Sequence, residues 1–176
     1  MTNIFGLNLT ELTSLITDLN LPKFRAKQII EWLYQKHATS FDEMTNLSKD
    51  LREKLAQEFT IERAKSCDRL DSRDGITTKF LLEFGDGIGV ETVLMRQPYG
   101  NSICVSSQAG CNMGCSFCAS TLHGMARNLS TGEILAQAMF IQELLNQTGE
   151  QINNIVIMGS GEPMLNYDNV LNFIRL

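Results

Sequence analysis

The first sixty residues carry apolar side chains at the spacing of amphipathic helices. We expect Thr10 to cap a first helix, Pro22 to stand in the first turn of a second and Ser48 to open a third. The apolar positions that follow these starts are Leu12, Leu15, Ile16, Leu19, Phe24, Ile29, Ile30, Leu33, Tyr34, Leu51, Leu55 and Phe59. The pattern predicts a small helical domain over residues 1–60.

Short segments separated by turns replace the helical pattern from about residue 61. The dipeptide Asp74-Gly75 is typical of a tight hairpin turn, and Asp86-Gly87 follows as a second turn signal. The predicted strands cover residues 67–70, 77–84, 90–95 and 103–106. We therefore expect a β-rich connector, built around a hairpin, over residues 61–100.

The remainder of the chain, residues 101–176, alternates between strand and helix. Ser130 and Glu133 form a capping-box pattern ahead of an apolar helix, and residues 155–158 are a continuous apolar run, typical of a parallel strand covered on both faces. A last helix is expected from Asn166 onward. Strand, loop, helix, strand, loop and helix make one and a half βα units, so the sequence predicts an α/β fold.

Two unusual loops follow the strands of these βα units. Residues 108–120 hold three cysteines, and residues 159–163 hold two glycines, a glutamate and a proline. Because the carboxyl ends of neighbouring parallel strands meet at one edge of a sheet, we expect both loops on the same face. In βα architectures that face carries the active site.

Charge and composition narrow the class of protein. The 176 residues carry a formal net charge of −5, which argues against wholesale electrostatic binding of nucleic acid but permits a local basic patch. The chain contains no run of about 18 apolar residues, so the sequence predicts no membrane span. The N-terminus also lacks the pattern of a signal peptide. We therefore expect a cytoplasmic protein, whose five cysteines serve metal or redox chemistry rather than structural disulfides.

The spacing C-x3-C-x2-C of Cys111, Cys115 and Cys118 points to a metal centre. Three thiolates leave one coordination position of an iron–sulfur cluster open for a substrate or cofactor. Zinc with His123 as a fourth ligand is an alternative, although no second C-x2-C pair is present, and three unrelated thiols are a weaker one. Phe117 either lies against a flat ligand at the open position or simply packs within the loop.

Two further segments have a functional and a plain structural interpretation. Gly161 and Glu162 could bring backbone amides and a carboxylate to an ammonium group, or they could form only a tight turn. Lys23, Arg25 and Lys27 could bind RNA phosphates, but a solvated helix face is the better interpretation of this segment by itself.

Taken together, the motifs resemble one enzyme family along essentially the whole chain. The matching segments are Phe24-Arg25-Ala26-Lys27-Gln28-Ile29, Val90-Glu91-Thr92-Val93, residues 104–111, Arg127-Asn128-Leu129 and residues 158–163. Together with the C-x3-C-x2-C motif they resemble the bacterial dual-specificity RNA methyltransferases of the radical S-adenosylmethionine (SAM) superfamily. Those enzymes methylate adenine C2 in 23S ribosomal RNA and in tRNA. A sister family that methylates C8 usually has alanine where Pro163 stands here, which favours the C2 family.

The resemblance implies a cofactor and a fold. Cys111, Cys115 and Cys118 would hold a 4Fe–4S cluster whose fourth iron binds the amino and carboxylate groups of SAM. Gly161 and Glu162 would help to hold SAM, whose cleavage yields a radical that activates a methyl group carried on a cysteine. Residues 101–176 would then begin a TIM-like partial barrel, and residues 1–60 would be an accessory RNA-binding domain.

Two more roles follow only from the resemblance. Glu91 matches the carboxylate that accepts the proton from adenine, and Cys104 matches a second cysteine that helps to break the covalent link between protein and RNA. By themselves these residues indicate no more than a solvent-facing carboxylate and a buried thiol on strands. The partners implied are 23S rRNA, tRNA and an external electron donor such as flavodoxin, and a monomer is expected.

Family members are about twice as long as this chain, and their methyl-carrying cysteine lies near the C-terminus. No cysteine follows Cys118. We therefore expect the chain to be a truncated fragment that cannot complete methyl transfer alone. The other function classes are a zinc-stabilised RNA-binding module, the C8 methyltransferase and a radical enzyme that acts on a protein instead of RNA.

Overall fold

The structure, a computed structural model, describes every residue from 1 to 176. The chain forms two compact units, Met1–Arg63 and Ala64–Arg175. In the second unit a single sheet contains strands from both the predicted connector and the predicted βα segment, which pattern analysis had separated near residue 100. The division into domains 1–60, 61–100 and 101–176, with their assigned roles, stays a prediction.

The first unit is a small helical bundle closed by a two-stranded parallel ribbon. Its elements are β1 (Thr2–Asn3), α1 (Leu9–Asp18), α2 (Phe24–Tyr34), a 3₁₀ turn at Phe41–Glu43, α3 (Lys49–Glu58) and β2 (Phe59–Thr60). The helices bury the apolar positions that the periodicity had indicated, among them Leu12, Ile16, Ile29, Leu33, Leu51 and Leu55. The predicted three-helix pattern is confirmed.

Two of the predicted helix starts were wrong by about two residues. Asn8, not Thr10, caps α1, because its side chain accepts hydrogen bonds from the backbone N–H groups of Thr10 and Glu11. Glu11 returns the bond to the backbone N–H of Asn8, which completes a capping box. The second helix begins at Phe24, so Pro22 lies just outside it. The third start was correct, since Ser48 occupies the N-cap position of α3, although its side chain forms no capping hydrogen bond.

The second unit is built on a five-stranded sheet in the order β3-β4-β5-β6-β9. These strands are β3 (Lys65–Asp71), β4 (Thr77–Glu83), β5 (Gly89–Gln97), β6 (Gly100–Cys104) and β9 (Ile152–Val156). The first four pair antiparallel, whereas β9 pairs parallel with β6. The predicted hairpin and the predicted parallel pair are both present.

Two helices complete this unit, α4 (Thr131–Asn146) and α5 (Tyr167–Arg175). Ser130 caps α4 in the predicted capping box with Glu133. Strand positions alternate between two faces of the sheet. On one face Thr92 donates a hydrogen bond to Gln137 of α4, and Phe80 packs edge-on against Phe140. The opposite face, called here the open face, presents Lys79, Leu81, Glu91, Val93 and Cys104.

The last strand differs from the prediction in position and burial. It runs over Ile152–Val156 instead of residues 155–158, and it lies at the edge of the sheet. Ile155 is 43% exposed and Met158 is 79% exposed. The apolar run therefore extends past the strand into the following loop. An edge strand has a neighbour on one side only, so β9 leaves one row of backbone N–H and C=O groups without strand partners.

No helix of the structure is both long enough and apolar enough to cross a bilayer.

Candidate functional site

The loops after β6 and β9 lie side by side, as the parallel topology predicts. The backbone N–H groups of Ser107 and Gln108 both donate to the Ser160 carbonyl, at 2.9 and 3.1 Å. In return, the N–H of Gly159 donates to the Val105 carbonyl at 3.1 Å. This ladder continues the pairing of the two strands beyond their ends and brings residues 159–162 against the start of the cysteine loop.

The neck of the cysteine loop is a short antiparallel ribbon that the sequence did not predict. It consists of β7 (Gln108–Gly110) and β8 (Met125–Asn128). Gly110 lies directly against the backbone of Gly124, so that a β-carbon at Gly110 would overlap the Gly124 carbonyl oxygen. Both ends of the loop are therefore fixed at one point.

Arg127 of β8 ties this ribbon to its surroundings. Its guanidinium donates to both carboxylate oxygens of Glu133, at 2.7 and 2.8 Å, and to Asp86 of the β4–β5 turn at 2.7 Å. Bidentate pairs of this kind fix orientation as well as contributing energy. Arg127 therefore anchors the neck of the loop to the first turn of α4.

The three cysteines differ in exposure, and all three are free thiols. Cys111 is buried, Cys118 is half-buried and Cys115 is exposed. The backbone N–H of Cys118 donates to the Cys115 carbonyl at 3.1 Å, which folds this end of the loop into a turn. No group of three His, Cys, Asp or Glu side chains in the structure is arranged to hold a metal ion. The fit to a cluster therefore rests on the donor set, three thiols within eight residues of one loop.

Two residues that were considered as ligand contacts lie at the surface of the same loop. The side chain of Phe117 is 90% exposed, which does not match the alternative of loop packing. His123 is also exposed. The structure does not gather His123 with the thiols into a metal-binding group. The contact of Phe117 with a flat cofactor stays a prediction.

A cleft of about 510 Å³ lies between the open face and the two loops. Its lining includes Glu91, Cys104, Cys118, Met158 and Gly159. The volume falls in the range that small-molecule sites occupy. Residues that the sequence separates by up to 68 positions thus share one cavity, which joins the predicted catalytic residues to the cysteine loop.

Glu91 and Cys104 are neighbours through the register of the sheet. Val93 is the partner of Cys104 across β5 and β6, and Glu91 lies two positions before Val93 on the same face. On its other side the Glu91 carboxylate forms an ion pair of 2.7 Å with Lys79 of β4. Because Glu91 and Lys79 are 58% and 40% exposed, the pair contributes little to stability, but it orients the carboxylate.

The chain is similar to known proteins in both sequence and fold. Residues 2–61 match the family model described as the ribosomal RNA large subunit methyltransferase N-terminal domain. The probable dual-specificity RNA methyltransferases RlmN of Staphylococcus aureus strains JH9 and Newman are each 51% identical to the chain over 174 residues, 99% of this chain and 48% of theirs. The crystal structure of a radical SAM methyltransferase from Sphaerobacter thermophilus has a TM-score of 0.90 and 38% identity, covering 99% of this chain and 51% of that one. The chain is thus similar to these methyltransferases along 99% of its length, and its residues 2–61 match the N-terminal domain of the family model.

These similarities confirm the resemblance and the α/β fold class that the sequence predicted. The chain spans about half the length of the curated relatives it matches. The roles of single residues in this site stay predictions.

Burial controls the chemistry of the Cys104 thiol. Its partial burial raises the pKa of Cys104, and a hydrogen bond with the backbone of Met158 opposes this rise without cancelling it. The thiolate is the reactive form of cysteine, so a raised pKa keeps Cys104 as a neutral thiol at physiological pH. Partial burial in the cleft therefore makes this sulfur less nucleophilic than an ordinary exposed thiol at the same pH.

The raised pKa predicts slow alkylation of Cys104. At pH 7 we expect iodoacetamide to modify Cys104 more slowly than the exposed Cys67, and the rate at Cys104 to keep rising with pH beyond the range of an ordinary thiol. Mass spectrometry of digests taken over a pH series measures both sites in one sample. Faster labelling of Cys104 than of Cys67 at pH 7 would contradict the raised pKa.

Proposed function

We propose that this chain provides the cluster-binding half of a radical SAM methyltransferase that methylates C2 of adenine in 23S rRNA and in tRNA. The observation that carries the proposal is the cleft, which is lined by Cys118 of the cysteine loop together with Glu91 and Cys104 of the sheet. Similarity to the RlmN relatives supports the substrate, and Pro163 supports C2 over the C8 chemistry of the sister family.

Cys111, Cys115 and Cys118 are the residues that would hold a 4Fe–4S cluster. Gly161 and Glu162 would hold SAM. When bound, this pair supplies one-electron chemistry, which adenine C2 requires because this electron-poor carbon is not a nucleophile. The Glu162 carboxylate accepts a hydrogen bond from the backbone N–H of Met164 at 3.1 Å, which leaves lone pairs for an ammonium group.

The residues of the open face would serve the RNA base. Glu91 would accept the proton from adenine, with its carboxylate oriented by Lys79. Cys104 would take part in separating protein from RNA, and its neutral thiol is protected from side reactions until that step. Phe117, whose ring is free on both sides, would lie against SAM.

The first unit would bind the RNA outside the reacting base. Phe24 is 54% exposed at the start of α2, and the Arg25 guanidinium lies 4.7 Å from its ring centre. Lys36 lies 4.1 Å from the ring of Trp32. Aromatic rings beside cations are suited to stacked bases and phosphates. The substrates would be 23S rRNA and tRNA, and flavodoxin or a similar protein would supply the electron. We further propose that the protein is a monomer located in the cytoplasm.

The activity is tested with the anaerobically reconstituted chain, SAM, a reductant and unmodified tRNA or 23S rRNA fragments. The proposal predicts 5′-deoxyadenosine in the reaction mixture, measured by mass spectrometry, from cleavage of SAM at the cluster. No cysteine follows Cys118 to carry the methyl group, so we expect 2-methyladenosine in nuclease digests of the RNA only when the chain is joined to the C-terminal half of an RlmN relative. Formation of 8-methyladenosine instead would show the C8 chemistry of the sister family. A cluster-loaded chain that yields no 5′-deoxyadenosine, with or without RNA, would contradict the proposal.

Cluster assembly is expected to order the cysteine loop. Residues 112–117 are all exposed, and the thiols are not gathered around one point, so coordination has to draw the loop together. Hydrogen exchange measured by mass spectrometry should therefore slow in residues 112–123 after reconstitution. The exposed hairpin turn at residues 72–76 serves as the control and should not change. Equal exchange of the loop with and without iron and sulfide would refute this.

A further inference from the structure

Gln108 is a fully buried polar residue between the two loops of the site, with 0% of its surface exposed. It lies three residues before Cys111, the first cysteine of the motif. A buried amide is stable only when its donors and acceptors are used. The partners of Gln108 therefore show what the residue holds together.

The side chain of Gln108 joins the neck of the cysteine loop to the glycine loop. Its Oε1 accepts a hydrogen bond from the backbone N–H of Glu162 at 2.9 Å. Its Nε2 donates to Oδ1 of Asn128, on the opposite strand of the neck, at 2.7 Å. The backbone N–H of Gln108 also donates to the Ser160 carbonyl. Gln108, at the start of the cysteine loop, therefore contacts both the glycine loop and strand β8 of the neck.

Gly161 packs directly on the same side chain. Its φ of 103° lies in a region that other residues rarely adopt, and a β-carbon there would come within 2.5 Å of Cβ and 2.7 Å of Cγ of Gln108. The absence of a side chain at Gly161 is what permits this contact. The peptide that carries Glu162 therefore rests on Gln108.

A second buried glutamine shows that this role is specific. Gln137 is also 0% exposed and fully hydrogen-bonded, but its partners are Thr92, Ser106 and the Glu133 carbonyl on the α4 side of the sheet. It forms no hydrogen bond with residues 159–162. Both glutamines satisfy buried polar groups, whereas of the two only Gln108 joins the neck of the cysteine loop to the backbone of Glu162.

We propose that Gln108 is a positioning residue that sets the distance between the cluster held by the cysteine loop and the ammonium-binding carboxylate of Glu162. The inference rests on the proposed function, because it assigns these two loops to the two ends of one cofactor-binding site. A ligand that binds iron through its amino and carboxylate groups and also contacts Glu162 requires a fixed distance between the cysteine loop and the glycine loop. Displacement by about 1 Å in such a site can reduce activity on the order of a hundred-fold.

Three variants separate this role from general stability. Gln108→Met keeps the length of the side chain but removes both hydrogen bonds. Gln108→Glu keeps an oxygen that accepts from the Glu162 N–H, and the Asn128 amide can turn to donate to it. Gln137→Met is the matched control, since it removes the hydrogen bonds of an equally buried glutamine that does not contact the glycine loop.

The test compares iron and sulfide content, SAM affinity and hydrogen exchange of the Glu162 amide in the full chain. SAM affinity is measured from the change that SAM causes in the electron paramagnetic resonance spectrum of the reduced cluster. We expect Gln108→Met to keep its cluster, to lose about ten-fold or more in SAM affinity and to exchange the Glu162 amide faster. Gln108→Glu should recover most of the affinity, and Gln137→Met should keep it while losing stability.

The outcomes distinguish this inference from the proposed function. SAM affinity of Gln108→Met equal to that of the wild type, or equal losses in Gln108→Met and Gln137→Met, would overturn the positioning role. If the cluster-loaded wild-type chain bound no SAM, the proposed function of this chain as a SAM-binding unit would be wrong, which is a separate failure from that of the positioning role. Exchange of the Glu162 amide would then decide the positioning role, and an unchanged rate in Gln108→Met would refute it.

Discussion

Replacing Gly110 by alanine is expected to abolish assembly of a cluster on the cysteine loop. Gly110 has a φ of 76°, and its β-carbon would overlap the carbonyl oxygen of Gly124 at the neck of the loop. Both partners are backbone, so no side chain can move aside, and the ribbon of β7 and β8 has to open. Overpacking and left-handed strain together should lower the free energy of unfolding by about 3 kcal/mol.

Gly114→Ala is the matched control for this variant. Gly114 lies in the same loop and has a similar φ of 69°, but a β-carbon there meets no atom within 4 Å. It should lose only about 1 kcal/mol from backbone strain and keep most of its iron. Urea unfolding and iron analysis measure the two effects. Equal iron content in the Gly110 and Gly114 variants would show that the neck does not hold the loop for cluster binding.

Replacing Gly161 by alanine is expected to leave the cluster in place but to remove SAM binding. The added β-carbon would press on the Gln108 side chain and backbone at 2.5 to 2.7 Å, while the left-handed backbone adds strain. The glycine loop then has to move away from the cysteine loop and carry Glu162 with it. A shift of about 1 Å should weaken SAM binding and reduce the rate of SAM cleavage on the order of a hundred-fold.

Gly149→Ala controls for the backbone conformation by itself. Gly149 follows α4 with a φ of 72°, and a β-carbon there has open space around it. This variant should lose some stability but bind SAM as the wild type does. Spectroscopic titration of the reduced cluster with SAM measures the affinity of both variants, and urea unfolding measures their stability. Wild-type affinity in Gly161→Ala would contradict the place given to Glu162 at the cofactor.

Elements with a clear period were predictable from the sequence, and short tertiary elements were not. The leucine spacing of α3 and the capping box of Ser130 and Glu133 are local signals, and both are present in the structure. The ribbon of β7 and β8 has strands of three and four residues, too short to show a period. Its pairing depends on contacts such as that of Gly110 with Gly124, which lie fourteen residues apart.

The placement of the two loops at one edge of the sheet was predictable from the sequence, but the contacts that hold them together were not. The cysteine spacing and the strand–loop order predicted two loops at one edge, and the backbone ladder between them confirms it. Gln108 and Gln137 were missed, because a polar residue in a hydrophobic pattern is taken as exposed unless its buried partners are known. The cleft shared by Glu91 and Cys104 depends on the strand register, which the sequence does not show.

The central claim is that the three cysteines bind an iron–sulfur cluster with an open position. Anaerobic reconstitution followed by iron, sulfide and zinc analysis tests it most directly, with Cys115→Ser as the comparison. A 4Fe–4S cluster predicts about four iron and four sulfide per chain, a brown colour that Cys115→Ser lacks, and a spectral change on adding SAM. A colourless chain that holds one zinc and no sulfide, and that does not respond to SAM, would contradict the claim.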